Sequence, residues 1–219
     1  MTQDEQKRRA AIAALDYIED GITLGVGTGS TVDFFIDALP RLAHRLAAVV
    51  SSSERSTAKL ESLGIEVKSF AEIDRIDLYV DGADEATKHL HLLKGGGGAL
   101  TREKVLAGAA RRFVCIVDAS KVVGTLGRFP LPIEVVPMAR SFVARQMIKA
   151  GGEPVWRKDF VTDNGNIILD VHNLKIANPL ELETRFNQIP GIVTVGIFAH
   201  RGADVLVIGE KDGVRTLGR

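Results

Sequence analysis

The chain has 219 residues and 45% of them are hydrophobic, enough apolar surface for one large domain or two small ones. Lys plus Arg and Asp plus Glu both number 28, a formal net charge of zero, which removes any bulk electrostatic case for nucleic acid or an anionic membrane surface as partner. One cysteine, Cys115, excludes an intrachain disulfide; no apolar stretch approaches the roughly 20 residues of a membrane span, and Met1 to Lys7 lacks a signal-peptide pattern, so a soluble cytoplasmic protein is expected.

Thr2 and Glu5 fit a capping box, and Ala10, Ile12, Ala13, Leu15 and Ile18 form an apolar stripe, predicting a helix that ends near Gly21. Ile22 to Val26 reads as a short buried strand, followed by the turn Gly27 to Thr31 and a helix stopped by Pro40. Leu46 to Val50 is a strand ending in three serines, and Glu54 to Leu63 a helix with Gly64 as its stop. Ile65 to Val67, Ile76 to Val80 and Leu90 to Leu93 read as strands, Thr101 to Ala110 as a helix, and Phe113 to Val117 as a strand holding Cys115 as a buried thiol.

This alternation predicts a Rossmann-like, mostly parallel sheet with helices on both faces. Gly27 to Thr31, Ser51 to Ser53, Asp81 to Asp84, Lys94 to Gly98 and Asp118 to Lys121 each directly follow an apolar run. Parallel strands place their C-terminal ends at one edge, where open α/β sheets bind ligands. Five polar segments are therefore expected to converge on one cleft.

After Phe129 to Pro132 the pattern changes. The apolar run Ile133 to Val136, a helix over Ala139 to Ala150, two strands flanking Asp163-Asn164-Gly165-Asn166, a helix from Pro179 to Gln188 and a strand from Ile192 to Ala199 give the order β-α-β-β-α-β. That order predicts a smaller ferredoxin-like α+β domain, with Val205 to Ile208 returning to the first sheet. The expected division is 1–130 with 205–219 as a catalytic α/β domain, and 131–204 as the smaller one.

Each motif has two readings. Gly25-Val-Gly-Thr-Gly-Ser30 falls short of a dinucleotide fingerprint at its last position and is no Walker A loop. It is either an anion-binding turn at a helix N-terminus or a tight strand-to-helix turn with ordinary capping hydroxyls. Asp81 and Asp84 are turn formers as well as candidate acids. Lys94 is a solvated strand end or a fixed cation, and the four glycines after it suit close backbone approach to a ligand. Glu103 is a first-turn helix carboxylate or a general base; the helix terminus and Lys94 favour its charged form, whereas Asp81, Asp84 and burial oppose it. Lys121 and Lys7 are either solvated or paired with a phosphate. His44, His89, His91, His172 and His200 show no metal-ligand spacing, so no metal and no other cofactor is expected. Trp156 reads as packing.

Taken in order, Gly25 to Thr31, Asp81-Gly-Ala-Asp84, Lys94-Gly-Gly-Gly97, Leu100 to Lys104, Asp118-Ala-Ser-Lys121, Pro137 to Arg140, Val161 to Asn166 and Arg201 to Asp204 resemble type A ribose-5-phosphate isomerases over essentially the whole chain. Gly98 extends the usual glycine run by one. The resemblance implies a metal-independent aldose-ketose isomerase, usually a homodimer, acting on ribose 5-phosphate in the pentose phosphate pathway. It implies Glu103 as the base, with Asp81, Asp84 and Lys94 around the sugar oxygens. Thr28, Gly29, Ser30, Thr31, Gly82, Ala83, Gly95, Gly96, Gly97, Lys121 and Lys7 would bind substrate. The alternative is a non-catalytic sugar-phosphate-sensing domain, which would need the anion-binding turns but no base. A nicotinamide dehydrogenase fits less well, lacking the third fingerprint glycine.

Overall fold

A computed structural model describes residues 2–218. In chain order the elements are α1 (Gln3–Ala14), β1 (Ile22–Val26), α2 (Ser30–Ala38), β2 (Leu46–Ser51), α3 (Glu54–Ser62), β3 (Ile76–Asp81), β4 (Glu85–Ala86), β5 (Leu92–Leu93), α4 (Leu100–Ala109), β6 (Ala110–Asp118), β7 (Leu131–Val135), α5 (Arg140–Lys149), β8 (Glu153–Trp156), β9 (Ile167–His172), α6 (Pro179–Asn187), β10 (Ile192–Val195), β11 (Ile197–Phe198), β12 (Val205–Glu210) and β13 (Gly213–Gly218). They form two compact units.

The first unit comprises the chain up to Ala83, Arg102–Val122 and everything from Ala203 on. Its six-stranded sheet has the order β13-β12-β6-β3-β1-β2, parallel except for β13, which runs antiparallel to β12. Alternate residues serve opposite faces. Leu24, Val26, Leu78, Val80, Val114, Ile116, Val205 and Val207 join Ala10, Ala11, Val32, Phe35, Ile36 and Leu60 from the helices in one cluster. Tyr79, Phe113, Cys115, Leu206 and Ile208, of the other register, are also buried, so both faces are covered. The Thr2–Glu5 capping box forms as expected. Pro40 ends α2 but not the helical path, because a proline is tolerated in the first turn of the 3-10 helix Leu39–Arg45 that follows. Ile65 to Val67 is not a strand: Ile65 is buried in the core, but only Lys68 N–H bonds β2, at Val49 O (2.8 Å).

The second unit comprises Asp84–Thr101 and Val123–Gly202. By compactness it therefore takes in segments that the sequence reading kept with the α/β part. Its β7-α5-β8-β9-α6-β10 run folds into an antiparallel sheet ordered β10-β7-β9-β8, the expected ferredoxin-like arrangement. Ile133, Val135, Val143, Met147, Leu169, Val171, Phe186 and Val195 form its core. The expected single strand Ile192 to Ala199 is broken at Gly196. β10 pairs with β7, whereas β11 joins β5 and β4 in a separate three-stranded sheet. A Cβ at Gly196 would stand 2.2 Å from Lys94 O, so the backbone changes sheets where no side chain fits.

Glu134 of β7 is fully buried in this unit. Its carboxylate accepts from Thr162 Oγ1 (2.8 Å), Asn166 Nδ2 (2.8 Å), Asn164 Nδ2 (3.1 Å) and the Thr101 hydroxyl. Glu134→Gln turns one acceptor into a donor facing donors. It should cost about 1–3 kcal/mol and lower the melting temperature by about 3–10 °C. An unchanged thermal melt would show that these donors find other acceptors.

Candidate active site

In the first unit, β3 delivers Asp81 to the C-terminal edge of the parallel sheet. Asp81 is fully buried and accepts from Gly82 N–H (2.7 Å), Thr28 N–H (3.1 Å) and the Tyr79 hydroxyl. A Cβ at Gly27 would lie 1.9 Å from Asp81 Oδ1, so only glycine lets the turn after β1 close over this carboxylate. Gly29, the N-cap of α2, sits at φ +114° and leaves the first turn of that helix without a side-chain cap. The amides of the Gly29–Thr31 stretch thus lie at an uncapped helix N-terminus, the arrangement that suits an anion.

Glu103 lies in the first turn of α4 and is only 3% exposed. Burial first, then the charges of Asp81 and Glu103, push the Tyr79 phenol well above the ordinary tyrosine range. Asp81, Tyr79 and Glu103 thus form one electrostatic cluster. The folded state holds the Tyr79 proton more tightly than the unfolded chain does, so this contribution is intact below the unfolded value. Above pH ~10 it is lost at up to about 1.4 kcal/mol per pH unit. Urea unfolding between pH 8 and 11 should therefore show a steeper loss of stability in the native chain than in Tyr79→Phe. Parallel profiles for the two proteins would contradict the assignment.

Asp118 ends β6 and caps the short helical turn Ala119–Lys121 through Ser120 N–H (3.0 Å). Gln3 Nε2 donates to Asp118 Oδ2 (3.3 Å) and approaches Ser120 Oγ (3.4 Å), docking the start of α1 on that turn. Lys7, four residues along the same helix face, pairs with Asp4 at 3.2 Å. Lys7 and Lys121 therefore belong to neighbouring stretches of the first unit.

In the second unit, Asp84 accepts from Gly96 N–H (2.8 Å), and a Cβ at Gly96 would meet Asp84 Oδ1 at 2.5 Å. Lys94 is 2% exposed; its backbone N–H bonds Gly196 O (2.8 Å) and its Nζ stands 5.6 Å from the centre of the Phe198 ring. Lys94 is therefore a buried side chain held against an aromatic face rather than a solvated strand end. Gly98 N–H closes a turn onto Gly95 O (2.9 Å). Arg157, after β8, donates to Gly96 O (3.1 Å) and Gly95 O (3.3 Å), and grips Asp170 at 2.9 and 2.6 Å.

Of the five polar segments expected on one parallel edge, four are there. The fifth, Lys94 to Gly98, follows β5 of the separate antiparallel sheet. The first unit brings together Thr28, Asp81, Gly82 and Glu103; the second brings together Asp84, Lys94, Gly95 and Gly96. Sequence reasoning missed Tyr79 and Arg157. Tyr79 was within reach, because residues i and i+2 of a strand share a face. Arg157 carried no local signal. Among the described residues, no group of three or more His, Cys, Asp or Glu side chains is arranged to hold a metal, and no helix is long and apolar enough to cross a membrane.

Residues 48–213 match the family model of ribose 5-phosphate isomerase A, also called phosphoriboisomerase A. The chain belongs to that family. The crystal structure of ribose 5-phosphate isomerase A from Neisseria gonorrhoeae is 44% identical and superposes with a TM-score of 0.97, over 99% of this chain and 97% of that one. A D-ribose-5-phosphate isomerase in complex with phospho-erythronic acid is 37% identical, with a TM-score of 0.95 and complete coverage of both chains. Ribose 5-phosphate isomerase A from Methanocaldococcus jannaschii is 36% identical, with a TM-score of 0.94 and again complete coverage of both. Likeness to the ribose 5-phosphate isomerase A family therefore covers both units, including the stretches that carry Asp81, Asp84, Lys94 and Glu103.

Proposed function

We propose that this chain interconverts D-ribose 5-phosphate and D-ribulose 5-phosphate through an enediolate, in the non-oxidative pentose phosphate pathway. The observation that carries the reading is the buried Glu103 carboxylate at the start of α4, in a chain that matches isomerases over its whole length. Aldose-ketose isomerisation moves a proton between C2 and C1. In this reading Glu103 takes the proton from C2 of the open-chain aldose and returns it to C1. Negative charge develops on O1 meanwhile, and the Lys94 ammonium, desolvated over Phe198, balances it as a preorganised cation.

Asp84 exchanges protons with the sugar hydroxyls. Asp81, whose oxygens already receive Thr28, Gly82 and Tyr79, holds the Gly27–Thr28 turn in shape. The uncapped start of α2 at Gly29 to Thr31, with Lys121 and Lys7, takes the phosphate, which orients the reacting carbons. A sensing module without chemistry is disfavoured, because the family to which the chain belongs is one of isomerases.

The test is incubation with ribose 5-phosphate alone, following ketose formation without added cofactor. Ribulose 5-phosphate should appear, and the rate should be unchanged after chelator treatment. Absence of ketose would refute the isomerase reading, and a chelator-sensitive rate restored by metal would refute the metal-free account. A phosphorylated aldonic acid, with a planar carboxylate where the enediolate charge develops, should inhibit competitively. The family resemblance further leads to a cytoplasmic homodimer, for which light scattering of the purified protein should give twice the chain mass.

A further inference from the structure

The glycine run after Lys94 is built as a turn whose central peptide has two sterically open orientations. Gly95 O accepts from Gly98 N–H at 2.9 Å, so Gly96 and Gly97 are the two central residues. The peptide joining the central residues of a β-turn faces opposite ways in type I and type II turns, and side-chain clashes normally help to decide between them. With glycine at both positions that choice is left open. Something outside the turn has to make it.

Arg157 is placed to do so. Its Nη1 donates to Gly96 O (3.1 Å), the oxygen of the central peptide, and its Nη2 donates to Gly95 O (3.3 Å). The guanidinium is itself held on two sides. Asp170 of β9 accepts from Nε (2.9 Å) and Nη2 (2.6 Å), and the Phe160 ring centre lies 5.3 Å from Cζ. Phe160 in turn occupies the space that a side chain at Gly98 would need, since a Cβ there would stand 2.1 Å from Phe160 Cζ. On the other side of the turn, Gly96 N–H is committed to Asp84 Oδ2 (2.8 Å). In a trans peptide the N–H points away from its carbonyl oxygen. Gripping Gly96 O therefore turns Gly97 N–H away from Arg157, at a residue that is itself exposed.

We infer that Arg157, braced by Asp170, is a positioning residue that locks the Gly95–Gly98 turn in the one orientation in which Gly97 N–H is presented to the sugar phosphate. The inference rests on the isomerase reading above, together with the substrate contact that the family resemblance implies for Gly95 to Gly97. Arginine is required because a planar fork spans two carbonyls and a carboxylate at once, which a lysine ammonium cannot.

Arg157→Lys should keep the charge and the fold but release the central peptide. Its kcat/KM for ribose 5-phosphate should fall about tenfold or more, the scale expected when a substrate-orienting group is misplaced, while the melting temperature, lowered by the lost guanidinium bonds, stays well above the assay temperature. In amide NMR spectra the Gly97 signal should shift or broaden as the peptide samples both orientations. For Arg157→Ala, added guanidinium should restore part of the lost activity, and ammonium at equal ionic strength should not. An Arg157→Lys enzyme with undiminished kcat/KM, or rescue by ammonium as good as by guanidinium, would overturn the inference. A native chain that fails to isomerise ribose 5-phosphate would instead refute the reading beneath it, so the two failures are distinguishable.

Discussion

Glu103→Gln is expected to lower kcat by a factor of about a hundred to ten thousand, the range a positioned general base supplies. Glutamine matches glutamate in size and in helix propensity, so α4 should form unchanged. What is lost is the ability to accept a proton from carbon. The variant should therefore still bind the phosphorylated aldonic acid, because on the proposed mechanism that ligand is held by the anion-binding turns and Lys94 and needs no proton transfer. Calorimetry with the aldonate and a coupled assay with ribose 5-phosphate separate the two effects. Near-normal turnover would remove Glu103 from its role. Loss of both turnover and binding would point to a structural part for this buried carboxylate.

Lys94→Met is expected to reduce kcat by about a hundred- to a thousandfold, comparable to removing one donor from an oxyanion hole. Methionine keeps an unbranched apolar chain against Phe198, so packing around β5 and β11 is largely retained. On the proposed mechanism, the charge opposite the developing oxyanion is what disappears. Because that charge exists only as the proton leaves C2, the loss should fall on kcat; an effect confined to KM would contradict the assignment.

Much of this architecture could be read from local pattern. The Thr2–Glu5 box, the strand Ile22–Val26 and the order of elements from β7 to β10 follow from caps, turn residues and apolar periodicity, which act within a few residues. The failures are equally physical. Ile65 to Val67 has the composition of a strand, yet only Lys68 bonds the edge strand β2. Ile192 to Ala199 reads as one apolar run, yet its two halves belong to different sheets because Gly196 packs against the carbonyl of Lys94. Pairing partners are invisible to periodicity, which reports burial and not the neighbour that supplies it.

The candidate site divides in the same way. Asp81, Asp84, Lys94 and Glu103 stand out in the sequence because acids, a lysine and a glycine run follow apolar stretches. The two environments of the acids do not: Asp81 sits at the end of a parallel strand bonded to Tyr79 and Thr28, whereas Asp84 belongs to the other compact unit and faces Gly96.

By itself, then, the sequence determined most of the kinds of elements, the chemical types of the candidate groups and the family that the chain resembles. Folding alone decided that β5 leaves the parallel edge, that Gly27 closes over Asp81, and that Arg157 reaches back sixty-odd residues to the glycine turn. The reason is that a hydrogen bond between distant segments depends on where the chain has already been packed, and no property of either segment taken separately encodes the direction of its partner.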